Sequence, residues 1–196
     1  MPTDLPSDRS KDPDSQSGFY RLAWTFYLLL AIAGVIWIGS SQASIPLGLF
    51  IDPTSWWSDL ALGLIGGFGL LALWTAGCHL VPGVRQLEEV LADHIGAIDH
   101  SEAFALALIS GFSEELFFRG AVQTSWGWAW ATVIFTLMHS GPGRVFRWWT
   151  LFAFVAALVF SGLTHYRGSI LAAVVAHTVV NAVNLRRLAV LAATKA

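Results

Sequence analysis

Charge is scarce in this sequence: Asp, Glu, Lys and Arg together make up 12% of its 196 residues, against roughly 25% in soluble globular domains. So few ionic groups cannot cover a water-facing surface, so the solvent for most of the chain is lipid. The net charge of −2 gives no positive field to attract nucleic acid, which excludes it as a partner. The single cysteine, Cys78, excludes an internal disulfide and any multi-cysteine metal site. It sits in an apolar run and reads as a small packing residue. No internal repeat is visible, which weighs against a transporter built from duplicated halves.

Long apolar runs take the place of charge. Hydrophobic residues are 55% of the chain, and a bilayer core of ~30 Å needs about 20 of them per helix. Residues 1–18 are rich in Pro, Ser and Asp and read as a disordered cytoplasmic tail. Leu22 to Ile51 contains no Asp, Glu, Lys or Arg. Its apolar core, Leu22 to Gly39, exceeds the ~7–15 residues of a signal peptide, which predicts a retained first helix rather than cleavage at Ser41-Gln42-Ala43. Further charge-free runs at 60–84, 120–143, 148–166 and 168–185, with a third, less lipid-like span at about 101–120, predict an all-α protein with about six transmembrane helices. From Val84 to Ile98, Val84, Leu87, Leu91, Ile95 and Ile98 share one helical face, while Arg85, Glu88, Glu89 and Asp93 are polar. That pattern predicts an amphipathic helix lying at the membrane surface between the second and third spans. The resulting division is a tail (1–18), N-terminal helices with the amphipathic connector (19–100), a helical core (101–185) and a basic C-terminal tail (186–196).

The positive-inside rule sets the expected orientation. With the N-terminus inside, inner segments hold Arg9, Lys11, Arg21, Arg85, Arg144, Arg147, Arg186, Arg187 and Lys195, and outer segments only Arg119 and Arg167. Both termini are therefore expected in the cytoplasm. Trp56, Trp57, Trp126, Trp128 and Trp130 fall near outer ends and Trp148 and Trp149 near an inner end, as aromatic belts do.

Three polar insertions break the apolar pattern. The first is Ser113-Glu114-Glu115-Leu116-Phe117-Phe118-Arg119. An ionic residue at the centre of a span costs ~2.5–3.5 kcal/mol, so two carboxylates and an arginine together need a reason. Glu115 and Arg119, four apart, are placed to pair on one helical face. Glu114 points about 100° away and is left for another purpose. The second insertion is Phe135-Thr136-Leu137-Met138-His139, and the third is His177-Thr178-Val179-Val180-Asn181, whose spacing of four puts His177 and Asn181 on one face. A plain ion-pair cluster locking helices together explains Glu115 and Arg119 but leaves Glu114 costly. A lone intramembrane histidine is ordinarily a hydrogen-bonded packing residue. Four such groups in separate apolar surroundings form a set expected to face inward. His79, His94, His100 and His165 lie in polar stretches or near span ends and read as interfacial.

Glu114-Glu115-x-x-x-Arg119, Phe135-x-x-x-His139 and His177-x-x-x-Asn181, with the flanks Phe118-Arg119-Gly120 and Arg167-Gly168-Ser169-Ile170, resemble the motifs of the CAAX-protease and bacteriocin-processing (Abi) family of intramembrane glutamic endopeptidases. The resemblance covers about residues 101–185. It implies an integral protein of a prokaryotic cytoplasmic membrane that acts on a peptide or protein with a membrane-embedded or lipidated segment. It further implies Glu114 as the base that activates water and His139 as its helper. His177 and Asn181 then donate to the oxyanion, with Glu115, Arg119 and Phe135 in support. No cofactor is expected; a zinc version of the protease, with Glu114, His139 and His177 as ligands and an open position for water, is the alternative. A non-enzymatic immunity or scaffold protein is the other alternative. Glu114 lies past the midpoint of the third span, toward the outer face, and this favours a sorting-type enzyme that trims exported proteins. His139, late in a helix that returns inward, points to the opposite depth.

Overall fold

The computed structural model describes residues 13–42, 46–95 and 98–195. Residues 1–12 of the expected tail and Ala43 of the alternative cleavage site lie outside the described residues. Helix α1 spans Pro13–Gln42 and starts on a proline, whose fixed φ suits a first helical turn; residues 13–18 are thus the opening of this helix. After a short α2 (Leu47–Phe50) come α3 (Trp56–Leu80) and α4 (Pro82–Ile95). A long helical run then begins with α5 (His100–Glu115), continues through a π-helical stretch (Leu116–Gln123) and ends in α6 (Thr124–Trp126). It is followed by α7 (Trp128–Met138), α8 (Arg147–Arg167) and α9 (Leu171–Lys195). No strand occurs among the described residues. The protein is a polytopic all-α membrane protein. Four stretches are long and apolar enough to cross a bilayer: Tyr20–Ser41, Trp56–Leu80, Arg144–Arg167 and Leu171–Lys195. The run from His100 to Trp126 and the shorter α7 complete the bundle.

Helix α9 is the central post, packed against α3, α4, α5 and α8. Small residues let it in. A Cβ at Gly63 of α3 would lie 2.7 Å from the carbonyl oxygen of Ala172, and one at Gly67 would lie 3.0 Å from that of Ala176. Two glycines four apart thus form a flat strip along which backbone approaches backbone, as at many intramembrane crossings. The main apolar core joins Leu70, Phe118, Phe135, Phe160, Ala176 and Val180. Helix α1 leaves most of its surface to lipid, with Leu22, Leu28, Leu29 and Ile36 exposed. It touches the bundle where Gly34 meets the backbone of Phe117, 3.3 Å from an added Cβ.

Three expectations change. The span read at 120–143 is broken at Gly127, whose φ of 88° and ψ of 166° belong to a region essentially reserved for glycine. Beyond it α7 has 11 residues, about 16 Å at 1.5 Å per residue, half a bilayer. The amphipathic connector does not lay its apolar face in lipid. Val84 and Leu87 of α4 are buried against Trp74, Cys78, Phe146, Trp148, Trp149 and Phe152. The expected basic tail from residue 186 continues α9 as far as Lys195, held to α4 by Arg187 Nε on Glu88 Oε1 at 2.8 Å and Lys195 Nζ on Asp93 Oδ1 at 2.9 Å. At the other end of the bundle Asp59 of α3, fully buried, pairs with Arg167 and accepts from Ser169 Oγ at 3.1 Å.

Candidate active site

Broken at Gly127, the chain makes two antiparallel arms of nearly equal length. From Glu114 to Trp126 the run rises about 18 Å, and α7 returns about 16 Å. His139, the residue capping α7, is thereby carried back to the level of Glu114, and its Nε2 lies 3.5 Å from Glu114 Oε2. The opposed depths inferred for these two residues from sequence disappear once the fourth helix is half-length.

Each functional side chain is oriented by a neighbour. His139 Nδ1 is 2.8 Å from the carbonyl oxygen of Phe135. A carbonyl only accepts, so Nδ1 carries the hydrogen and the neutral ring turns its Nε2 lone pair toward Glu114. The ring is stacked between Phe135, at 4.1 Å and 18°, and Trp149, at 6.0 Å and 28°. His177 Nδ1 lies 2.7 Å from Glu115 Oε1, which fixes the hydrogen on Nδ1 by the same argument. Its ring stacks on Phe160 at 4.8 Å. Ser110 Oγ donates to the Ala107 carbonyl oxygen at 3.3 Å and accepts from Asn181 Nδ2 at 2.9 Å, an arrangement that sets the Asn181 amide.

Below this row sits the charged support. Arg119 and Glu115 are both fully buried and paired at 3.1 Å. The guanidinium also donates to the Ala157 carbonyl oxygen at 3.2 Å and lies 4.6 Å from the Phe135 ring centroid and 5.3 Å from that of Phe160. These aromatic faces meet the part of the cation that has no oxygen partner. The π-helical stretch opens directly after Glu115; such widened turns recur at functional sites because they re-aim side chains within a helix. Glu114 Oε2 is buried and has no hydrogen-bond partner among the described residues.

Glu114, His139, His177 and Asn181 all line one cavity of about 160 Å³, and Phe135 forms part of its wall. Among the lining residues that were not picked out from sequence, three stand beside the motif residues. Tyr27 of α1 lines the cavity together with Glu114 and Ser110; a tyrosine inside an otherwise apolar first span was the available signal. Ser110, a small hydroxyl in a helix, gave none. Trp149, read as part of an aromatic belt, instead stacks on His139. The cavity continues past Asn184 and Leu188 of α9 to Leu91 and Ile95 of α4, the end of the bundle where α9 terminates. His79, His94, His100 and His165 are exposed and away from it. No three His, Cys, Asp or Glu side chains converge to hold a metal ion among the described residues.

Buried carboxylates, two histidines with Nδ1 committed and an oriented amide around one small cavity form an arrangement suited to water activation and oxyanion binding. Residues 99–183, which include all seven motif residues, match the family model described as type II CAAX prenyl endopeptidase Rce1-like. No curated protein and no solved structure matches the chain. The segment that carries the motif residues of this cavity is therefore similar to the Rce1-like, CAAX-protease family.

Proposed function

We propose that this protein is an intramembrane endopeptidase in which Glu114 activates the hydrolytic water. The observation that carries the reading is the juxtaposition of Glu114 Oε2 with His139 Nε2 at 3.5 Å on the wall of a cavity shared with His177 and Asn181. A water hydrogen-bonded to both acceptors donates both its hydrogens and turns an oxygen lone pair outward. As it attacks a peptide carbonyl, Glu114 takes one proton and later delivers it to the leaving amine. The tetrahedral oxyanion is met by the free N–H of the Asn181 amide and by His177. With Nδ1 of His177 engaged by Glu115 Oε1 at 2.7 Å, Nε2 is the ring nitrogen left for the oxyanion, and it donates there when it carries a hydrogen. Removing one oxyanion donor typically costs ~10²–10³ in rate.

The substrate is a membrane-anchored or lipidated peptide. The path of the cavity toward α4 and the end of α9 supports entry from the side of the termini, and the basic residues at that end support its being cytoplasmic. This reading is preferred to the outward, sorting-type one, which rested on the depth of Glu114 past the midpoint of the third span. Glu114→Gln in purified protein, reconstituted with a lipidated or transmembrane-tailed peptide, is expected to reduce turnover below a few per cent of wild type with the thermal transition unchanged. Turnover above that level removes Glu114 from its role. The same preparation is expected to keep its activity in strong chelator. Stoichiometric zinc, with loss on chelation and recovery on zinc addition, makes the histidines ligands instead.

A further inference from the structure

On the lipid-facing side of the α5–α9 contact lies a second depression, an open groove of about 540 Å³. Residues 181, 184, 185 and 188 of α9 line the catalytic cavity, whereas residues 182, 183, 186 and 190 line this groove, so one helix separates the two. Its walls include Phe104, Val183 and Val190, all exposed large apolar side chains, as befits a surface in contact with acyl chains. At its rim stand His100, Arg186 and Arg187.

The two arginines differ. Arg187 is held by Glu88. Arg186 is exposed and has no ion pair or hydrogen bond among the described residues. The acidic residues at the start of α5 do not neutralise it. Asp99 is engaged by the Glu102 N–H and the Ser101 hydroxyl, and Glu102 lies in a separate depression with Tyr20 and Arg21 against α1. The groove therefore combines an apolar floor with a cation left without a partner among the described residues, near the end of α9.

We propose that this groove binds an anionic phospholipid, with the headgroup phosphate on Arg186 and one acyl chain along Phe104, Val183 and Val190. The positive-inside preference by itself accounts for an arginine at this level, but it requires no groove beside it and predicts no effect of filling one.

The test is native mass spectrometry of the detergent-purified full chain titrated with phosphatidylglycerol or phosphatidylcholine. Wild type is expected to retain phosphatidylglycerol in preference. Arg186→Gln is expected to weaken that retention about fivefold, the equivalent of ~1 kcal/mol for one interfacial cation, and to leave phosphatidylcholine unchanged. Val183→Trp keeps the charge and fills the groove, and is expected to abolish the preference while peptide turnover persists. Equal retention of the two lipids by wild type, or unchanged phosphatidylglycerol affinity in either variant, overturns the proposal. Displacement of the lipid by millimolar inorganic phosphate also overturns it, by assigning the site to a soluble anion.

Discussion

Arg119 shows how a charge is kept inside this bundle. It is among the largest fully buried side chains, and its cost is offset by Glu115, a carbonyl oxygen and two aromatic faces. Arg119→Ala removes the arginine partner of the buried Glu115 and is expected to destabilise the protein by ~3–5 kcal/mol, read as a lower yield and transition temperature as well as lost activity. A variant that is fully stable yet inactive assigns Arg119 a direct part in the reaction. Tyr27 is a different case: it shares the cavity with Glu114 from a helix outside the matched segment, and its hydroxyl is expected to donate to the base. A hydrogen bond to a charged group is worth ~1.5–3 kcal/mol. Tyr27→Phe is therefore expected to lower kcat roughly ten- to hundredfold with little change in melting. Unchanged kcat reduces Tyr27 to a packing residue.

At the scale of elements, the site depends on one half-length helix. The Phe135 carbonyl and ring stacking hold His139 locally, but its depth is set by where the chain turns. Gly127 makes that turn in a backbone region that other residues enter at ~1–3 kcal/mol. A Cβ there meets nothing within 4 Å, so Gly127→Ala isolates the backbone effect from any clash. The expected result is a lower transition temperature and a turnover loss beyond what the unfolded fraction explains, because α7 shifts relative to Glu114. Turnover that tracks the folded fraction alone would falsify the role of the turn in setting the site.

For the whole molecule, the side on which the cavity meets water is set by the orientation of the bundle in the membrane. Gly120 is buried, with Ile38 3.1 Å from an added Cβ, so a reporter thiol belongs elsewhere. Asn184 lines the cavity on its path toward α4. In a Cys78→Ala background, Asn184→Cys is expected to resist an impermeant thiol reagent in intact cells and to react once the membrane is opened. Labelling in intact cells places the cavity mouth outside and restores the sorting-type substrate.

Much of this architecture was legible in the sequence. Scarcity of charge excludes a water-facing surface, charge-free runs locate the long spans, and the four-residue spacings place Glu115 on Arg119 and His177 beside Asn181. The amphipathic period of residues 84–98 identifies α4 as a helix, because alternation of apolar and polar groups is a local property. The partner of its apolar face is not local, and only the packed bundle shows that Trp74, Trp148 and Trp149 cover it. Hydropathy likewise does not distinguish a full span from a half-helix followed by a loop, since both are written in the same apolar residues; the glycine turn and the return of His139 to the level of Glu114 exist only in three dimensions. Tyr27 and Ser110 join the site for the same reason. Tyr27 interrupts an apolar span and Ser110 breaks no pattern, but neither signals its partner along the chain, and their place beside Glu114 follows from the way α1 and α5 pack. Sequence thus determined which groups lipid would not tolerate alone, and tertiary packing decided which of them meet.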